Sequence, residues 1–358
     1  MKKKSNNKNK IIHNIKYQNI IENEDLSYTE NDTQLKNLDD DLNLNYELKK
    51  KKKHNILREA TLIEYYQKIF KEIRNDDEIS DENLIKSFSP KKHKNLIEKM
   101  NESEGKSGSF FFYSHDRKYL VKTITNDELN TFIKILDSYS NYISKNKDTL
   151  ITKIYGLFSI EINISKINFI LMQNLINCKP SHIIRIFDLK GSTISRTTPN
   201  VEKWKKTQTL KDCDYQWLIK VDKNLVNFNY DQRNVLLDVL ENDLNFFRNL
   251  NLMDYSLLFI IIDFPKQNDP DYLQILNFLG DSKYFGHVFK SKNMKYIYIV
   301  GIIDYLQEYN VRKIIENKCK KFIYGDDIIN VSSVEPNFYA ERFYNFMKNY
   351  LFIYGEDQ

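Results

Sequence analysis

Cysteine is scarce in this 358-residue chain, and the three present, Cys178, Cys213 and Cys319, are odd in number and widely separated. They form neither a disulfide framework nor a CxxC metal site, and they suit a reducing compartment. The six histidines include no HExxH-type pair, which argues against a protein-held zinc. The longest apolar run, Leu257 to Ile262, is far short of the roughly 18–20 residues that span a bilayer. No apolar stretch follows MKKKSNNKNK, so no secretory signal is read. Net charge is only +5, too small and too mixed to indicate a nucleic-acid partner. Any basic function must come from local clustering, and the expectation is a soluble, cytoplasmic chain.

Hydrophobic residues at 41% and aromatics at 13% supply a core sufficient for one large domain or two modest ones. Residues 1–55 stand apart. They are rich in Asn, Lys and Asp, contain no Gly or Pro, and end near the run Lys49–Lys53. Such a segment buries little and reads as a disordered tail. The lysine run fits a solvated linker, or alternatively a weak tether to anionic lipid at roughly 1 kcal/mol per residue near the surface.

From Ile56 the pattern changes. Leu57, Leu62, Ile63, Tyr66, Ile69 and Phe70 fall at helical spacing and predict an amphipathic helix. A second short helix is read around Leu84–Met100, interrupted near Pro90. Strands are predicted at Phe110–Ser114, Tyr119–Ile124, Thr152–Leu157 and Ile167–Met172, with a helix over Asp127–Tyr142. Together they form a small antiparallel sheet with one helix. Further on, Asp231 is a candidate cap for a helix carrying Val235, Leu236, Val239, Leu240, Leu244, Phe247 and Leu250. A buried strand follows in NLMDYSLLFIII, then a hairpin with a loose insertion over 263–295, the strand run KYIYIVGIIDYLQEY, and a closing helix at Tyr339–Leu351.

Five features carry chemistry, and each has a plain alternative. IFDLKGST (186–193) sets Asp188, Lys190 and Gly191 beside two hydroxyls, which a polar hairpin turn would also explain. EGKSGSFFFY places Gly105, Gly108 and Ser109 ahead of a strand, as a phosphate cradle or a flexible turn. Lys122 lies in the apolar strand YLVKTI, where an unpaired ammonium is costly unless the strand is an edge. Glu128, opening the next helix, is a candidate partner for it. Asp254 either ends a helix or serves chemistry, and Asp304 either caps a strand or binds a metal at its end. Phosphoryl transfer needs a phosphate cradle, a lysine, acidic metal ligands and a group orienting the attacking hydroxyl, and the chain offers each in order.

At this point the chain resembles the phosphatidylinositol phosphate kinase family, most of all the type I 4-phosphate 5-kinases. GKSGSFFFYSHDRKYLVKTI is similar to its glycine-rich loop and nucleotide lysine, and TLITKIYGLFSI to the segment that follows. FILMQNL resembles its hinge to adenine, FDLKGST its DLKGS signature, MDYSLL its catalytic loop, GIIDYLQ its IID metal motif and PNFYAERFYNFM its closing helix. The likeness is legible from about Gly105 to Met347. It implies an α+β, two-lobed kinase-like fold: an N-lobe over about 56–175 with an antiparallel sheet and one main helix, and a mixed α/β C-lobe over about 176–355. It also implies ATP and Mg²⁺ as cofactors. Gly105, Gly108, Ser109, Lys122, Glu128, Met172 and Asn174 would contact nucleotide, and Asp304 would hold metal. Asp254, Lys190 and Asp188 would serve transfer, with Lys190 set against the γ-phosphate or the lipid headgroup. The family's dimer-forming elements are not legible upstream of Gly105, so a homodimer stays open.

VRKIIENKCKK (311–321) sets Arg312, Lys313, Lys318, Lys320 and Lys321 against one acid, Glu316. A solvated helix face is the plain reading. Its place, where kinase relatives carry the activation loop, and its interleaved Ile314, Ile315 and Phe322 favour contact with an anionic membrane surface. The resemblance implies phosphatidylinositol 4-phosphate as substrate, because Glu316 falls where the family's 5-kinases carry Glu. The family's paired lysines read here as Lys313-Ile314, and a tryptophan often found after the Glu is Cys319. Kinases of the 5-phosphate or 3-phosphate lipid, and an inactive phosphoinositide-binding scaffold, are the alternatives. A protein kinase is disfavoured because no HRD or DFG triplet occurs. The expected location is peripheral, on the cytosolic face of the plasma membrane.

Overall fold

The computed structural model describes residues 51–57, 60–91, 109–200, 204–264, 287–310 and 334–353. Two sheets organise the chain, which is a mixed α/β structure consistent with a kinase-like fold. The first is six-stranded and wholly antiparallel. Its strands are β1 (Lys51–Leu57), β2 (Ala60–Tyr65), β3 (Phe111–Tyr113), β4 (Tyr119–Ile124), β5 (Ile154–Ile162) and β6 (Ser165–Gln173), in the order β1-β2-β5-β6-β4-β3. Helices α1 (Gln67–Asp76), α2 (Asp81–Ser87) and α3 (Asn126–Lys145) accompany it.

The four strands and the helix expected between residues 110 and 172 are present, and β5 and β6 run several residues longer. The helix expected from Ile56 is a correction. Up to Tyr65 the chain is a strand pair, β1 on β2, and helix begins only at Gln67. The apolar residues there satisfy both periods, and the free edge of β5 decides the matter by pairing with β2 along its whole length. Tyr66, at φ 51°, makes the left-handed break between strand and helix. Strand β1 also takes in Lys51–Lys53, inside the span expected to be tail.

The second sheet is mixed. Strands β7 (Ile183–Leu189), β8 (Thr209–Leu210), β10 (Ser256–Asp263), β11 (His287–Lys290) and β12 (Tyr296–Ile303) lie in the order β11-β12-β10-β7-β8, with only β7–β8 parallel. A two-residue pairing joins β9 (Leu252–Met253) to β13 (Gln307–Glu308). Strands β10 and β12 read as unbroken apolar runs because both their faces are covered. Leu257, Phe259 and Ile261 enter the main core, while Ile260 and Ile262 join a second cluster with Leu175, Ile186, Ile297 and Ile299. Helices α4 (Asp212–Val221), α5 (Tyr230–Asn249) and α6 (Pro336–Phe346) complete the second half. Asn229, not Asp231, caps α5, its side chain accepting from the Gln232 N–H at 2.7 Å. No helix among the described residues is long and apolar enough to cross a membrane.

The sheets meet where Thr152 N–H donates to Ile302 O at 2.9 Å and Ile302 N–H donates to Leu150 O at 2.6 Å. Asp243 of α5, fully buried, braces this junction. Its carboxylate accepts from Thr149 Oγ1 at 2.6 Å, Tyr142 OH at 2.8 Å and Leu150 N–H at 2.8 Å. Burial pushes its carboxyl up to about 6, although the three donors pull the other way. The unfolded value is near 3.9, so between those pH values the folded chain binds the proton more tightly. The group's contribution is therefore full below about pH 4 and lost as pH rises through 6. Asp243→Asn should be destabilising, and its deficit against the parent should shrink between pH 4 and 6.5. Thermal melts across that range check the sign, and a deficit that grows with pH would contradict it.

Candidate active site

Register in the second sheet brings one end of three strands together. Ser256 pairs with Ile303, and Leu257 pairs with Leu189. Lys190 follows the end of β7, Asp254 sits just ahead of β10, and Asp304 follows β12, so all three share one end of the sheet. Asp254 and Asp304 both adopt left-handed backbone, at φ 62° and 61°. Aspartate tolerates that region better than most residues, but the conformation still costs of order 1 kcal/mol and is held by its surroundings.

Each carboxylate meets a lysine. Lys190 Nζ donates to Asp254 Oδ1 at 2.6 Å and to the Asp254 carbonyl at 2.8 Å. Lys122, from β4 of the first sheet, donates to Asp304 Oδ1 at 2.5 Å. The Lys122 side chain is 10% exposed and that of Asp304 is 45% exposed. The ammonium is thus paired as its burial requires, while the carboxylate still faces solvent.

The expected pairing of Lys122 with Glu128 is not the one formed. Glu128 accepts from its own N-cap, Thr125 N–H, at 2.7 Å, and its N–H donates to Thr125 Oγ1 at 3.1 Å. A capping box at the start of α3 occupies the carboxylate that sequence spacing offered to the lysine. Met172 lies buried near the end of β6, opposite Leu120 and Ile154. Asn174 is also buried, and its side chain serves the turn. The amide nitrogen donates to Arg117 O at 2.6 Å and to Ile176 O at 3.1 Å, while Oδ1 accepts from Ile176 N–H at 3.1 Å. Ser109 is half-buried ahead of β3. Gly105, Gly108, Arg312, Lys313, Glu316, Lys318, Lys320 and Lys321 lie outside the described residues.

The turn that carries Lys190 is fixed from behind by residues that sequence reasoning missed. Asp212, fully buried at the start of α4, accepts from the Lys190 N–H at 2.9 Å and the Gly191 N–H at 2.8 Å. Its other oxygen accepts from Arg196 Nε at 2.6 Å, and Arg196 also binds Asp188 at 2.9 Å. Burial alone would raise the Asp188 carboxyl, yet Arg196 and then Lys190 hold it below the ordinary carboxylate range. The structure thus ties Asp188 to Arg196 in the network under the turn. Gly191 has φ 65°, and a Cβ there would come within 3.1 Å of Phe343 Cα and 3.2 Å of Arg342 O on α6. A side chain there would be strained by the positive φ and would press on the backbone of α6.

Among the described residues no group of three or more His, Cys, Asp or Glu side chains could hold a metal ion by itself. Magnesium bound through a single carboxylate, phosphate oxygens and water needs no such cage. A half-exposed Asp304 carboxylate beside Lys122 has the donor chemistry for that arrangement.

Comparison with known proteins gives the family. Residues 91–275 and 277–350 match the family described as phosphatidylinositol-4-phosphate 5-kinase. The match extends upstream of Gly105, where the sequence alone showed little likeness. A phosphatidylinositol 4-phosphate 5-kinase of Plasmodium falciparum is 31% identical over 314 residues, covering 79% of this chain and 18% of the relative. The rat type-1 beta enzyme of the same name is 30% identical over 291 residues, covering 72% of this chain and 52% of the relative. The human type-1 alpha enzyme is 30% identical over 282 residues, covering 70% and 49%. The chain thus spans from under a fifth to about half the length of these relatives. With the family match running through most of its length, and its strand-end lysines and aspartates gathered at one site, the chain belongs to the phosphatidylinositol phosphate kinase family.

Proposed function

We propose that the chain is an ATP-dependent lipid kinase that phosphorylates phosphatidylinositol 4-phosphate on the inositol 5-hydroxyl, giving phosphatidylinositol 4,5-bisphosphate. The observation that carries the reading is the gathering of two Lys–Asp pairs at one end of the second sheet, one of them bridging to the first sheet. The names of the relatives and the place of Glu316 support the choice of lipid. In this reading the two sheets belong to the two lobes of a kinase-like fold. The catalytic unit then begins by Lys51, earlier than the boundary at residue 56, and runs to about residue 355.

When bound, Mg·ATP supplies the phosphoryl group and the charge that activates it. The chain's residues do the rest. Asp304 would hold the metal, and Lys122, which pairs with the Asp304 carboxylate, would serve the phosphate oxygens. Gly105, Gly108 and Ser109 would supply donors to those phosphates, and Met172 and Asn174 would serve the base. Asp254 orients the 5-hydroxyl and receives its proton. Lys190 holds Asp254 and follows negative charge as it develops on the transferring group. Arg312, Lys313, Lys318, Lys320 and Lys321 bring the enzyme to an anionic leaflet as a peripheral protein on the cytosolic face.

The test is radiolabelled ATP with vesicles carrying each monophosphorylated phosphoinositide in turn. Label is expected chiefly on the 4-phosphate lipid, and high salt should weaken vesicle binding. No label on any lipid would sink the reading. In the same assay Glu316→Ala should raise kcat/KM for the 5-phosphate lipid relative to the 4-phosphate, because removing a like-charge clash changes the balance between two headgroup poses. An unchanged ratio would remove Glu316 from the account of specificity.

A further inference from the structure

Helix α6 lies against both partners of the Lys190–Asp254 pair. On one side Phe343 and the Arg342 carbonyl back the Gly191 turn, which carries Lys190. On the other side the fully buried Tyr339 hydroxyl donates to the carbonyl of Tyr255, the residue after Asp254. The Tyr255 ring stands edge-on to Tyr339 at 4.7 Å and to Phe343 at 5.1 Å, so the two contacts form one packed unit. Burial, with the Asp254 charge beside it, holds the Tyr339 proton firmly, and the hydroxyl remains a donor. Consecutive carbonyls, of Asp254 and Tyr255, are thus pinned by Lys190 and by Tyr339. That is how a left-handed aspartate is kept in place.

We propose that Tyr339 is a positioning residue, through which α6 sets the geometry of the Lys190–Asp254 pair. The catalytic consequence rests on the lipid-kinase reading, but the geometric one does not. Tyr339 touches no reacting atom. It fixes the peptide next to Asp254 while its helix fixes the turn under Lys190, so the two charges are held relative to one another by a single rigid element.

The experiment is Tyr339→Phe in the full chain, read in two ways. Lysine side-chain ¹⁵N NMR should show the Lys190 ammonium protected by its bond to Asp254, assigned by the signal lost in Lys190→Arg. In Tyr339→Phe that signal should shift or broaden away while that of Lys122, paired in the same site, is unmoved. A general loosening of the fold would disturb both. On lipid vesicles kcat should fall about tenfold with KM for ATP within about twofold, the pattern of a contact that matters in the transition state. A Lys190 signal unchanged in the variant overturns the proposal, and so does an unchanged kcat in a chain that turns over lipid. A shifted Lys190 signal in a chain that phosphorylates no lipid supports the positioning role and sinks the kinase reading separately. Should Tyr339→Phe fail to fold, Phe343→Leu loosens the packing of α6 on the Tyr255 ring instead and is judged by the same signals.

Discussion

Asp304→Asn should lower kcat by about 10²-fold or more in a protein that stays folded. The left-handed backbone at Asp304, φ 61°, makes asparagine the informative replacement, because it tolerates that region nearly as well as aspartate does. The substitution then removes charge with little added strain, whereas alanine would mix the two effects. What is lost is the carboxylate that pairs with Lys122 at 2.5 Å and that, in the proposed mechanism, would hold the metal. Losing one preorganised electrostatic contact of this kind typically costs 10²–10³ in kcat. Lys122→Met should give a loss of similar size. Because both residues serve one cluster, the double variant should be little worse than either single one. Steady-state rates on 4-phosphate vesicles, with circular dichroism to confirm folding, provide the measurement. A folded Asp304→Asn protein with near-parental turnover would remove Asp304 from the proposed role of metal ligand.

Asp212→Ala should cost about 3–5 kcal/mol of stability, the usual range for breaking a buried ion pair from one side. Arg196 would keep Asp188 but lose its buried partner, and the Lys190 and Gly191 N–H groups would both lose their acceptor. Each buried donor left unmade carries a penalty of roughly 1–3 kcal/mol, so the loss should fall in the upper half of the range. For a domain of this size the melting temperature should fall on the order of 10 °C. Asp212→Asn should lose less, since its amide oxygen still accepts. Denaturant titration of both variants decides the matter. A loss below about 1 kcal/mol for alanine would mean that the network under the turn is not what holds it.

Much of the first sheet was legible because its strands and α3 follow one hydrophobic period each, from Phe111 to Gln173. Residues 56–65 were not, because Leu57, Leu62 and Ile63 satisfy the helical period while the edge of β5, more than ninety residues away (Tyr65 to Ser159 is a separation of 94), selects strand. Lys122, Lys190, Asp254 and Asp304 stood out as polar groups at the ends or in the middle of apolar runs. Their pairing did not, since spacing offered Glu128 to Lys122 and only the packing of one sheet on the other supplied Asp304. Asp212 was invisible for a different reason. An aspartate opening a helix reads as a cap, and nothing local shows that its acceptors face a turn 22 residues upstream. Tyr339 had the same cover, an aromatic in a helix looking like core.

The order in which the chain emerges during synthesis sets when this site can exist. Lys190 and Asp254 are 64 residues apart, and Lys122 and Asp304 are 182 apart. Closing the longer loop rather than the shorter costs only about 1 kcal/mol more, so thermodynamically the distant pair is hardly disfavoured. Kinetically it must wait, because β12 is made last of the three strands whose ends form the site, and non-local pairing is slow. The first sheet can therefore close its hairpins with Lys122 in place before its carboxylate partner has left the ribosome.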